Sequence, residues 1–169
     1  MNKFIEEVKN VSILHLENNG IADIKPLDAM QKLVYLNLAN NKVKGMNIFT
    51  NEESFPNLKW LSVSNNKLTE IPALKCPKLE YLDMGQNKME KINEGWSGHP
   101  NLRILILFDN KYKNFAAIKN LPRLEELYMG SNALTSFGGY EGLPSLKRMH
   151  LRRNKIVSVE EELPELPSL

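Results

Sequence analysis

Residues 102–112, LRILILFDNKY, form a strand-like run with no polar side. Leu105 and Leu107 alternate with Ile104, Ile106 and Phe108. Successive side chains of a strand point to opposite faces, so if the leucines line a core, the Ile-Ile-Phe set must face somewhere else. Strands apolar on both faces usually lie in sheets covered on both sides. What covers the second face is therefore the question on which function turns.

The phrase is not alone. VSILHLENNGI (11–21), LVYLNLANNKV (33–43), LKWLSVSNNKL (58–68), LEYLDMGQNKM (79–89), LEELYMGSNAL (124–134) and LKRMHLRRNKI (146–156) share with it the frame LxxLxLxxNxL, with only apolar replacements. The seven openings, from Val11 to Leu146, are 22, 25, 21, 23, 22 and 22 residues apart. This resembles the leucine-rich repeat, a unit of 20–29 residues that stacks on copies of itself. The resemblance implies an α/β solenoid with a curved parallel sheet on the concave side and short helical or 3₁₀ segments on the convex side. Residues 11–168 then hold seven repeats and residue 169 opens a truncated eighth. Residues 1–10 are a cap or part of an earlier repeat, as the three-residue spacing of Ile5, Val8 and Val11 suggests.

Each position of the frame has a physical task. The LxL leucines point into the coil, and neighbouring repeats supply their strand hydrogen bonds. The ninth position is Asn in all seven repeats: Asn19, Asn41, Asn66, Asn87, Asn110, Asn132 and Asn154. An amide there can donate to and accept from backbone groups left unpaired where the chain turns out of the strand. In the return half, as in FAAIKNLPRL and FGGYEGLPSL, apolar residues recur every three positions, which suits single 3₁₀ turns. A proline (Pro56, Pro77, Pro100, Pro122, Pro144, Pro167) sets φ before the chain re-enters the sheet. The longest repeat carries its extra residues in GMNIFTNEES, read as a convex bulge.

The period, the closing Pro and the absence of cysteine-rich caps resemble the intracellular class typified by the regulatory subunit of protein phosphatase 1. LEELYMGSNAL and EELPELPSL also look like segments of axonemal, radial-spoke or dynein light chain members. That resemblance implies a cytoplasmic chain, with the cilium as a further expectation. Composition agrees with a water-soluble domain: 169 residues, 42% hydrophobic, 25% charged, net charge +2. No stretch approaches the roughly 18 uninterrupted apolar residues of a spanning helix, and the charged N-terminus does not read as a secretory signal. The single cysteine, Cys76, excludes an internal disulfide and fits a reducing compartment.

In such a solenoid, positions three, five and seven face the hollow, where nothing in the chain covers them. Parallel stacking at about 4.8 Å per strand aligns Tyr35, Trp60, Tyr81 and Ile104 in one column, beside Ile106, Phe108 and Tyr128. Together they would present an apolar patch on the order of several hundred Å², a size that usually binds something. Trp60, Tyr81 and Phe108 are the expected anchors for a protein partner. The alternative is that aromatic and branched residues merely suit strands and lie against one another. The last repeat gathers Lys147, Arg148, Arg152, Arg153 and Lys155. Arg148 and Arg152 extend the expected site toward an acidic partner segment, unless nearby acids such as Glu160, Glu161, Glu162 and Glu165 balance them.

No catalytic constellation emerges, and no cofactor or metal is expected. Cys76 precedes Pro77 in a slot otherwise filled by Phe55, Leu121, Leu143 and Leu166, and so reads as a buried hydrophobe. His15 and His150 are six strands apart, too far to share a metal. The expectation is a monomeric, non-catalytic scaffold that binds a protein through its concave face, with neither nucleic acid nor membrane as its target. A ribonucleoprotein subunit and the recognition part of a longer enzyme are the alternatives.

Overall fold

A computed structural model describes residues 3–93, 95–116 and 118–159. After a six-residue helix, α1 (Lys3–Val8), come nine short strands. They are β1 (Ile13–His15), β2 (Tyr35–Asn37), β3 (Trp60–Ser62), β4 (Glu70–Ile71), β5 (Tyr81–Asp83), β6 (Lys91–Ile92), β7 (Ile104–Ile106), β8 (Glu126–Tyr128) and β9 (Arg148–His150). Seven of them form one parallel sheet in the order β1-β2-β3-β5-β7-β8-β9. Each sheet strand covers positions three to five of a repeat, and the register pairs like with like: Ile13, Tyr35, Trp60, Tyr81, Ile104, Glu126 and Arg148 are successive partners. The solenoid predicted from the repeat frame is the fold, with its curved sheet on the concave side.

The core is built from positions one, four, six and eleven. In the third repeat Leu58, Leu61, Val63 and Leu68 are buried, and in the fifth Leu102, Leu105, Leu107 and Tyr112 are. In the first repeat, Val11, Leu14, Leu16 and Ile21 are only partly buried against the core. That gradient is the expected consequence of a quasi-one-dimensional stack.

The asparagine ladder does what its chemistry allows. Asn66 donates to the carbonyls of Val63 (3.1 Å) and Ser64 (3.1 Å) in its own repeat and of Leu38 (2.9 Å) in the repeat before, while its Oδ1 accepts from Val43 N–H (2.9 Å). Asn110 repeats the set with Leu107, Phe108, Met84 and Met89. Each amide thus satisfies buried backbone groups of two repeats and locks them at one register.

The residue just before each ladder asparagine is one the repeat frame left unread. Asn18, Asn40, Asn65, Gln86, Asp109, Ser131 and Arg153 all have φ between 49° and 60°. The N–H groups of the first six still bond the next repeat, as Asn40 does to Ser64 (2.9 Å) and Asp109 to Gly130 (2.9 Å), so the left-handed residue turns the chain without breaking the ladder. Asn and Asp tolerate this region best, which accounts for the paired Asn-Asn in the first three repeats.

The convex side carries the expected 3₁₀ turns at Lys25–Ala29 and Asn47–Phe49. The second lies within the GMNIFTNEES bulge and drives Phe49 into the core, where its ring meets Phe55 at 4.8 Å. In the next two repeats the return segments are instead extended and pair as β4 with β6. Cys76 is fully buried as expected. His99 fills the same slot one repeat later and is also buried; its Nε2 lies 2.8 Å from the Cys76 carbonyl, and burial lowers its pKa. Among the described residues no group of histidine, cysteine and carboxylates could hold a metal. Glu160, Glu161, Glu162, Glu165, Pro167 and the opening of the eighth repeat at Leu169 lie outside the described residues, as does the side chain of Ile5.

Candidate functional site

The concave columns hold two aromatic assemblies. In the first, Tyr35 and Trp60 stack at 4.1 Å and 11°, and Trp60 and Tyr81 at 4.8 Å and 7°. His15 tilts onto the outer face of Tyr35 at 4.8 Å. Parallel register produces this directly, because residues at one repeat position stand side by side on adjacent strands. Beside the stack, position five turns polar: Asp83 accepts from Gly85 N–H (2.9 Å) and from Ser62 Oγ (3.3 Å). Burial raises the Asp83 pKa against those two bonds, and burial followed by the Asp83 charge pushes the Tyr81 hydroxyl up to about 12.

The second assembly is in the last three repeats. Tyr128 stacks on His150 at 4.5 Å and 5°, and the Arg152 guanidinium lies 6.0 Å over the Phe108 ring, the geometry of a cation–π contact. Ile106, Phe108, Tyr128, Gly130, His150 and Arg152 line a hollow of about 420 Å³. Gly130 keeps it open, since a Cβ there would come within 3.2 Å of Arg152 and 3.6 Å of Phe108. Ile104 and Ile106 link the two assemblies through β7, whose partners are β5 and β8.

Every expected apolar site residue therefore faces the hollow, but they do not form one open patch. Tyr35, Trp60, Tyr81, Ile104, Ile106, Phe108 and Tyr128 are all half-buried. Among the described residues the exposed large hydrophobics are Ile13, Val157 and Val159. Stacking covers ring faces, and the Tyr128 hydroxyl is taken up by Glu126. The expected lining is thus narrower and more polar than an unshielded one.

The basic end is also partly neutralised. Arg148 pairs with Glu126 at 2.8 Å, and Lys147 with Glu125 at 3.3 Å. Glu126 also accepts from the Tyr128 hydroxyl at 2.5 Å, which with burial raises the pKa of that hydroxyl. Arg152 keeps its charge free for the hollow, whereas Arg148 is tied to the neighbouring strand. Repeat-position reasoning overlooked His15, Glu126 and His150 as site members. All three lie on the inward positions three and five, and reading those columns for any planar or charged residue would have found them.

The family description "Leucine Rich repeats (2 copies)" matches residues 9–51 and 56–98, half of the chain. The chain belongs to the leucine-rich repeat family. Mouse (Mus musculus) keratocan is similar at 35% identity over 122 residues, which is 66% of this chain and 35% of keratocan. Bovine (Bos taurus) osteomodulin is 36% identical over 129 residues, covering 71% of this chain and 29% of osteomodulin. The chain thus spans about a third of the length of the curated relatives it matches. Among solved structures, an internalin from Listeria monocytogenes superposes with a TM-score of 0.71 at 24% identity, over 90% of this chain and 46% of the internalin. That likeness shows the fold.

These kinships correct the expected subclass. The relatives of this leucine-rich repeat protein are extracellular, secreted members of the family, so the resemblance to the phosphatase-regulatory-subunit class and to axonemal proteins does not hold. The cytoplasmic and ciliary placement falls with it. The features behind that expectation carry no compartment signal: period, asparagine and proline are dictated by stacking, which works alike in either environment. A lone cysteine is equally uninformative here, because Cys76 is fully buried and its thiol is pushed up to about 12 by burial, which leaves it unreactive even where disulfides form. The leucine-rich repeat solenoid of this chain is a fold typical of non-catalytic recognition domains. Among the described residues no helix is long and apolar enough to cross a membrane.

Proposed function

We propose that the concave face binds an extended segment of a partner protein. The aromatic stack of Tyr35, Trp60 and Tyr81 is its central contact. The hollow lined by Ile106, Phe108, Tyr128 and Arg152 takes an apolar or acidic side chain of the partner, with Ile104 bridging the two and Arg148 at the margin. The observation that carries this reading is the stack itself. Three large rings stand in register on an inward column and stay half-exposed, although strand propensity alone asks for no such clustering. Rigid aromatics bury much area at small entropic cost, which is why they dominate interface energies. Arg152, poised over Phe108 without an ion-pair partner among the described residues, adds a charge that a partner carboxylate would satisfy.

The test uses the whole chain as bait in an extract of its source. Whatever protein is retained is purified and titrated against the unmodified chain and against Trp60→Ala, Tyr81→Ala and Phe108→Ala. Trp60→Ala is expected to weaken binding by about 2 kcal/mol or more, with an unchanged far-ultraviolet circular dichroism spectrum, since Trp60 contributes no side chain to the leucine core. Equal affinities for all four chains would place the partner on another surface.

A further inference from the structure

The rim where the chain leaves the concave strands carries a second, unassigned surface. Position ten of the repeat is Lys42, Lys67, Lys88, Lys111 and Lys155 in five of the seven repeats. These are equivalent sites and not a coincidence of sequence, because each donates the same backbone bond to position eleven of the repeat before. Lys42 N–H bonds Ile21 (2.8 Å), Lys67 bonds Val43 (2.9 Å), Lys88 bonds Leu68 (2.9 Å), Lys111 bonds Met89 (2.8 Å) and Lys155 bonds Leu134 (2.9 Å). All five side chains are exposed, and Lys44 and Lys113 flank them two residues on, also exposed. Glu90, paired with Lys111 at 3.1 Å, and Asp109 are the acids among positions eight, ten and twelve. Lys42, Lys67 and Lys88 enter no ion pair among the described residues.

Stacking sets adjacent members of this column about 4.8 Å apart at the backbone. Like charges at that spacing oppose folding, and the opposite rim shows that the same fold can avoid them. There position two reads Lys59, Glu80, Arg103, Glu125 and Lys147, alternating in sign, with Lys59 and Glu80 paired at 3.1 Å and Arg103 and Glu125 at 2.9 Å. Three adjacent ammonium groups, those of Lys42, Lys67 and Lys88, left without ion pairs on a chain of net charge +2 need a reason outside the fold.

We propose that the position-ten lysines form a linear binding track for an extended sulfated polysaccharide. A column of point charges at regular spacing matches a stiff polymer with anionic groups along its length. Lysine meets an anionic group as a compact point charge on a flexible stem, without the fixed planar geometry of an arginine fork. In the lysine-bearing repeats position eight is Asn40, Asn65, Gln86, Asp109 and Arg153, and the three amides can pair with sugar hydroxyls; Asn40 and Asn65 already form an exposed amide chain with Asn18 at 2.8 and 2.7 Å. Positions eight, ten and twelve hold no aromatic side chain, so the rim lacks the stacking platform that single-stranded nucleic acid uses.

Heparin of defined length is the probe, titrated against the full chain at several salt concentrations. Lys42, Lys67, Lys88 and Lys111 are replaced together by Gln; a control replaces Lys25, Lys32, Lys75 and Lys119, which removes the same charge elsewhere. The track variant is expected to bind heparin on the order of tenfold or more weakly, with a shallower salt dependence, while the control stays near the unmodified chain. Circular dichroism checks that both fold. Two further arms are a single-stranded oligonucleotide and polyglutamate of matching charge, both expected to bind more weakly than heparin. No heparin binding at 0.15 M salt (about an 8 Å Debye length), equal loss in the control, or tighter binding of either other polyanion would each overturn the proposal.

Discussion

The two rims of the solenoid are built on the same backbone, yet their charges obey opposite rules. On the rim where the chain enters the strands, position two alternates in sign and neighbouring repeats pair across 2.9 to 3.3 Å. On the rim where it leaves, position ten repeats one sign, and Lys42, Lys67 and Lys88 face solvent without acid partners among the described residues. Both columns are held at the same spacing by the buried asparagine ladder between them. The comparison teaches that register comes from the interior, and that each rim is then free to spend its charges on folding or on a ligand.

The widest test of that separation is inside. Asn66→Leu removes the two N–H donors shared among the Leu38, Val63 and Ser64 carbonyls and the acceptor for Val43, all in or near the core. Unfolding by urea should show a loss of about 2 kcal/mol, because the buried Val43 N–H is left unpaired and the carbonyls of Leu38, Val63 and Ser64 each keep only one donor, from Asn41, Asn87 and Asn40. A loss no larger than that of a surface substitution would mean that the rims, not the ladder, set the register. On the paired rim, Lys59→Glu sets two acids side by side at Glu80 and should cost about 0.5–1 kcal/mol in the same assay, the loss shrinking as salt is added. On the lysine rim the sign reverses. Lys67→Glu interrupts three like charges and should stabilise by roughly 0.3–0.5 kcal/mol at low salt while weakening any polyanion contact. Destabilisation by Lys67→Glu would show that the column is not under repulsion and would remove the contrast.

Much of this architecture was legible in the repeat frame. Once LxxLxLxxNxL is seen, the parallel register, the inward columns and the alignment of Tyr35, Trp60 and Tyr81 follow from the period alone, since stacked copies must place equal positions side by side. Less legible were the interactions between copies. That Glu125 and Glu126 neutralise Lys147 and Arg148 depends on neighbours 22 residues away. The left-handed turn before each ladder asparagine was missed because Gln86 and Arg153 dilute the Asn signal at that position. The period placed those residues on the inward columns but not their exposure, because a ring's accessible face depends on whether its neighbour stacks or splays.

The sequence by itself determined the solenoid, its buried asparagine ladder and which side chains line the hollow, because a strict period leaves a stacked chain one way to bury its leucines. Tertiary structure alone decided how those side chains meet: rings closed face to face at 4.1 and 4.8 Å, Arg152 laid over Phe108, and one rim paired where the other is not. Those outcomes hinge on rotamers and on distances of a few ångströms between residues far apart in the chain, which periodicity does not specify.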